Sequence, residues 1–366
     1  MKQRKRWQYL TVTCAMFYCI ASAQASAQPL NVAKNVDISG YVMVDYDSFD
    51  AAFTEDSDES ESLAKIRRAR LSFKNQFNQD WKVKFQLGFA NDETEIKDAY
   101  LQYQGWAWAD ITIGKQKEAF GLEKLTSSRN LMMIERSIVT GAIAPGRTIG
   151  VSASGNLSAV NWQLGYYQPE ESESASAITG RVTWLPWRQE NNLLHLGLAS
   201  SQRDLNGSEF RINEQMEVYL SDSLIEGEKL FAEDVSLNGV ELLWLQNNFT
   251  LMAEWQKSSV TDINHDHYDY QGGFIQMSYQ LSGGHRKYKN GVLGAASHSG
   301  WELASRYSQF KLMGEDEEVK IYSLGVNYSV SKKLKFMANI IRAERYEQGV
   351  EVDSGNAVSL RAQYSF

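Results

Sequence analysis

The sequence predicts an all-β protein: a 16-stranded antiparallel β-barrel that crosses a membrane, with its third outer loop folded inward. Three observations carry the barrel. Segments of about ten to thirteen residues alternate apolar and polar positions along nearly the whole chain, the length and pattern of tilted spanning strands. No apolar run approaches a spanning helix, so a membrane protein of this sequence must pair its backbone in a closed barrel. Proline is scarce (four residues) while Phe, Trp and Tyr supply 12%, a composition suited to long paired strands.

Residues 1–27 read as a signal peptide. Lys2, Arg4, Lys5 and Arg6 form a positive start, Trp7 to Ile20 is mostly apolar, and Ala25-Ser-Ala27 offers a small-x-small cleavage site. Cys14 and Cys19 both fall in this leader, so disulfides and thiol catalysis drop out of the mature chain, 28–366. Taking the leader's four basic residues from 37 leaves 33 against 45 acidic, a net charge of −12. Such a chain is a poor partner for nucleic acid.

Trp81-Lys-Val-Lys-Phe-Gln-Leu-Gly-Phe89 is the clearest strand, with large apolar residues at every odd position. Similar runs occupy 38–48, 64–77, 95–104, 109–117, 147–155, 159–168, 177–186, 192–201, 208–219, 235–246, 249–259, 271–281, 299–310, 320–330, 333–345 and 356–366. The last alternates Val358, Leu360, Ala362, Tyr364 and Phe366 with polar residues. A closing strand with a C-terminal Phe looks like the assembly signal of bacterial outer-membrane barrels. These runs make an odd number, whereas single-chain bacterial barrels are even-stranded, with short periplasmic turns. The poorest pattern is 208–219, interrupted by Arg211, Asn213, Glu214 and Glu217. Placing 202–234 in one outer loop restores even parity and leaves 282–298 as a long periplasmic connection. The other outer loops are then 49–63, 91–95, 118–146, 169–176, 260–270, 311–319 and 346–355. Acidic runs at 55–61, 170–173 and 315–318 read as solvated surface.

Residues 65–150 carry three motifs: Lys65-Ile-Arg-Arg-Ala-Arg-Leu-Ser-Phe73, Ile96-Lys-Asp-Ala-Tyr-Leu-Gln-Tyr103, and Gly114 to Arg129 continuing through Glu135-Arg136 to Ala144-Pro-Gly-Arg-Thr-Ile-Gly150. Shorter pieces follow, among them Gly180-Arg-Val-Thr-Trp184 and Gly300-Trp-Glu-Leu-Ala-Ser-Arg-Tyr307. Together they resemble the phosphate- and polyphosphate-selective porin family (porins O and P). The resemblance implies a homotrimer of sixteen-stranded barrels in the bacterial outer membrane, in contact with its lipid. It also implies that 118–146 is the third outer loop and forms the constriction. Arg67, Arg68, Asp98, Lys117 and Arg129 occupy matching motif positions, in a basic path with one Asp beside an anion site.

The residues themselves point the same way. In 64–77, Ala69, Leu71 and Phe73 take the lipid face and Arg68, Arg70 and Lys74 point inward; in the next strand Lys82 and Lys84 do so too. A lipid-facing charge near mid-membrane costs about 2–4 kcal/mol, which forces this orientation. Basic rings suit anion pores, and the planar fork of Arg can hold two phosphate oxygens. Strict alternation turns Arg67 outward unless a bulge intervenes. Asp98 falls inward, and so does Arg361 on the closing strand. The plain alternative for each of these residues is charge balance in a polar lumen.

Asp262-Ile-Asn-His-Asp-His267 has metal-like content, but it sits in one predicted exposed loop, a poor fixed site. His298-Ser299 lacks an oriented third group. No enzyme chemistry and no cofactor is indicated. The function expected is passive diffusion of small anions, phosphate, pyrophosphate or polyphosphate, through a basic constriction. The acidic Glu241, Glu254 and Glu302 on other strands keep a general pore as the alternative. A secreted soluble all-β binding protein is a more distant one.

Overall fold

The computed structural model describes residues 36–55, 60–90, 93–169, 174–314 and 316–366; the expected leader and most of the first two acidic runs lie outside them. Sixteen strands form one closed antiparallel barrel in chain order. They are β1 (Val36–Phe49), β2 (Glu61–Gln76), β3 (Trp81–Ala90), β4 (Glu93–Tyr103), β5 (Asp110–Lys117), β6 (Arg147–Leu157), β7 (Val160–Gln168), β8 (Ser176–Gln189), β9 (Asn192–Phe210), β10 (Leu230–Gln246), β11 (Phe249–Asp262), β12 (His267–Gln280), β13 (Gly300–Leu312), β14 (Glu317–Ser329), β15 (Leu334–Glu347) and β16 (Val350–Ser365). β16 returns to β1 with Asp45 opposite Arg361. The carboxyl-terminal Phe366 closes the seam by exchanging two backbone hydrogen bonds with Gly40, both 3.0 Å.

Burial is inverted relative to a water-soluble sheet. On β1, Asp45 and Asp47 are buried while Val44 and Tyr46 are exposed; on β16, Ser359 and Arg361 are buried while Val358 and Leu360 are exposed. A period-two pattern with the charges inside and the apolar face outside fits a wall whose outer solvent is lipid. Aromatics gather where the strands meet the short turns. Trp81 packs on Tyr103, Trp106 stacks on Trp108, and Trp301 packs on Tyr328. Such a belt marks a membrane–water interface.

Several strands run past the boundaries expected from sequence: the loops expected over 260–270 and 346–355 shrink to 263–266 and 348–349, and the largest change is at β9 and β10. β9 runs on to Phe210 and β10 begins at Leu230, so the connection expected over 202–234 is 211–229. The missed part of β9 carries polar outward residues such as Gln202, which pairs across strands with Ser236 at 2.9 Å. The 208–219 run is divided: Ser208–Phe210 ends β9, and Asn213–Glu214 pairs with Ile225–Glu226 in a separate short ribbon. The long connection near 282–298 also forms a ribbon, Arg286–Lys289 with Val292–Ala296.

Segment 118–146 contains two short α-helices, α1 (Leu122–Leu125) and α2 (Ile138–Ala142), with a 3-10 turn at Ser128–Asn130 between them. Its apolar residues join two buried clusters. Phe120, Ile138 and Val139 pack with Phe310 and Ile321 of the wall and with Ile212, Met216 and Val218 of the 211–229 connection. Leu122, Met132 and Met133 pack with Leu243, Met252 and Phe274 and with Leu293 of the second ribbon.

Candidate functional site: a basic cavity beside Asp98

The β2–β3 register puts Lys74 directly opposite Lys84 and Gln76 opposite Lys82. Two ammonium groups facing each other across strands repel unless one is neutralised. The next strand supplies the counter-charge. Gln86 pairs with Asp98 but Leu87 pairs with Ile96, so Lys97 is an extra residue and β4 bulges beside Asp98. Asp98, 3% exposed, accepts from Lys84 Nζ at 2.5 Å on one oxygen and from Arg147 Nε at 2.7 Å on the other.

Around this triad lies a cavity of about 440 Å³ whose lining includes Arg70, Lys74, Lys84, Lys117, Lys124, Arg129, Arg136 and Arg147, with Asp98 as its carboxylate. Tyr41 forms part of the wall, with the guanidinium carbons of Arg129 and Arg70 at 5.3 and 5.7 Å from its ring centre and its hydroxyl 2.8 Å from Ser128 Oγ. These distances suit cation–π contacts. Lys117 turns its ammonium onto the carbonyls of Lys124 (2.5 Å) and Leu125 (3.0 Å), which tethers the end of α1. Arg136 donates to the carbonyls of Glu123 and Thr126.

Of the residues singled out from sequence, Arg70, Asp98, Lys117, Arg129, Lys74 and Lys84 line this cavity; Lys82 lies two residues nearer the turn and does not. Arg67, Arg68 and Arg361 serve a different centre. Glu135 accepts from Arg67 Nε (2.9 Å) and Arg361 Nη2 (2.6 Å) and more weakly from Arg68 (3.4 Å). Arg361 also grips Asp45 through two bonds and the carbonyl of Ile134. Its side chain has no exposed surface, so it holds segment 118–146 against the wall and does not line the basic cavity. Arg67 and Arg68 are consecutive yet share one carboxylate, so alternation breaks there; Arg67 also stacks over Tyr219 at 4.0 Å. Three further lining cations, Lys124, Arg136 and Arg147, were not singled out from sequence. Their signal was present, because all three lie within the motifs of 114–150.

Charge in segment 118–146 is tuned by its surroundings. Burial pushes the Glu135 carboxyl up, but Arg67, Arg68 and Arg361 outweigh it and hold the group well below the usual carboxylate range. Burial, reinforced by Arg136, lowers Lys124 to about 8. Burial likewise raises Glu214, in the 211–229 connection, to about 7.

The acidic residues of the opposite wall already have partners. Arg181 forms a two-bond pair with Glu241 (2.8 and 2.6 Å), which also lies 3.3 Å from His195 Nε2. Arg286 of the second ribbon pairs with Glu302 at 2.6 Å. Glu254 accepts from the backbone N–H of Glu123 at 2.6 Å. Arg306 pairs with Glu217. None of these carboxylates lines the cavity around Asp98.

A basic cavity within a sixteen-stranded barrel is joined by a family match: residues 36–366 match phosphate-selective porin O and P. The chain belongs to that porin family. Porin O of Pseudomonas aeruginosa is 24% identical over 393 aligned residues, covering 90% of this chain and 88% of the relative. Among solved structures, the anion-selective porin of Comamonas acidovorans superposes with a TM-score of 0.60 at 14% identity, covering 90% of this porin and 99% of that chain. The trimer form of OmpT of Vibrio cholerae gives 0.59 at 13% identity, covering 90% and 99%. At these identities the structural likeness speaks for the fold. This porin is a protein of the bacterial outer membrane.

Proposed function

We propose that this porin passes small oxyanions, inorganic phosphate and pyrophosphate among them, by diffusion through the basic cavity, and that it works as a homotrimer. The observation that carries the reading is the imbalance of the lining: eight cationic side chains named above against Asp98. Asp98 spreads its charge over Lys84 and Arg147, and it engages Arg147 through Nε. In this reading segment 118–146 narrows the bore, because side chains of the barrel wall hold its backbone at Leu131, Met132 and Ile134. An anion must leave as readily as it enters, so several moderate sites suit conduction better than one tight site. The trimer form of the Vibrio relative and the family itself support the assembly.

The zero-current potential across a planar bilayer in a potassium chloride gradient tests the sign of selectivity. An anion-selective potential is expected; a cation-selective one would remove the reading. The potential should also depend on pH. Lys124 loses its positive charge as pH rises through about 8, and Glu214 gains a negative charge as pH rises through about 7. Both changes make the path less positive, so anion preference should fall between about pH 6 and about pH 9. Lys124→Met should flatten the upper part of that profile; an unchanged profile would show that Lys124 does not face the ion path.

A further inference from the structure

On the outer-loop side of Arg147 lies a second cavity, of about 280 Å³, that differs in character from the basic one. Its wall includes Ile143, Leu205, Phe210 and Leu237, and its cations are Arg147 and Arg203. Arg147 lines both cavities. Arg203 is held by Glu118 at 2.8 Å through one Nη atom, and Arg147 is held by Asp98 through Nε. Each guanidinium thus keeps donors for a ligand. Inorganic phosphate has no use for the apolar half of this chamber. We propose that it is an antechamber for organic phosphates or phosphonates with a compact aryl or short alkyl body, the anionic head on Arg147 and Arg203 and the body against Phe210 and Leu237. This rests on the anion-conducting reading above. The space is adequate: an apolar cavity of about 150 Å³ holds a benzene ring. From this chamber Arg147 can pass the head to the inner cavity without releasing it to bulk water.

The test is block of chloride current in planar bilayers by inorganic, methyl and phenyl phosphate, added on the outer-loop side at about pH 8, where a phosphate monoester carries close to two charges. Phenyl phosphate should block at about tenfold lower concentration than inorganic phosphate, the scale expected when a ring leaves water, with methyl phosphate between. Phe210→Ser should remove most of that advantage and leave inorganic phosphate block unchanged. Equal block by all three anions, or an advantage that survives Phe210→Ser and Leu237→Asn, would overturn the antechamber while leaving the anion reading intact. No block by any of them would overturn both.

Discussion

Arg147→Ala is expected to weaken block of the chloride current by phosphate about tenfold to a hundredfold. Hydrogen bonds to charged groups contribute about 1.5–3 kcal/mol, and each 1.4 kcal/mol is about a factor of ten. Arg147 lines the cavity with its guanidinium oriented by Asp98, which accepts from its Nε at 2.7 Å. The change also leaves Asp98 with Lys84 as its remaining partner, which makes the path more negative. Arg147→Lys should recover part of the loss, since it restores charge without the two-pronged geometry. Lys229→Ala, at an exposed pair with Glu209, serves as the control and should change nothing. Block unchanged in Arg147→Ala would take this residue out of the ion path.

Glu135→Ala is expected to cost stability more than any single change in the cavity. Glu135 joins Arg67, Arg68 and Arg361, and Arg361 is fully buried. Removing one partner of a buried charge cluster costs about 3–5 kcal/mol because the remaining charges are left uncompensated. The urea midpoint of the detergent-refolded barrel, read by gel mobility without heating, should fall accordingly. Since Arg361 also holds the Ile134 carbonyl, segment 118–146 should become protease-sensitive. An unchanged midpoint and unchanged cleavage would mean that this cluster does not secure the segment.

The barrel was legible in the sequence because alternation under lipid is a strict rule: a misplaced charge is costly, so Lys82, Lys84 and Asp98 could be oriented by counting. The same counting failed where the chain leaves the hydrocarbon. The upper parts of β9 and β10 carry exposed polar residues, such as Gln202, Asp204 and Asp234, and therefore read as loop. Arg67 and Arg68 escape alternation because Glu135, distant in sequence, draws both. Arg361 was legible as inward but not as buried, since nothing local announces Asp45 across the seam or the Ile134 carbonyl above it. The cations of segment 118–146 could be seen in motifs, but which of them face the ion path depends on packing against β10 to β16, which no local pattern encodes.

The most direct test of the central claim is titration of phosphate into chloride during single-channel recording from the purified porin. The basic cavity predicts an anion-selective channel whose chloride current falls with phosphate concentration and saturates as a site fills. A cation-selective channel whose current ignores phosphate would contradict it.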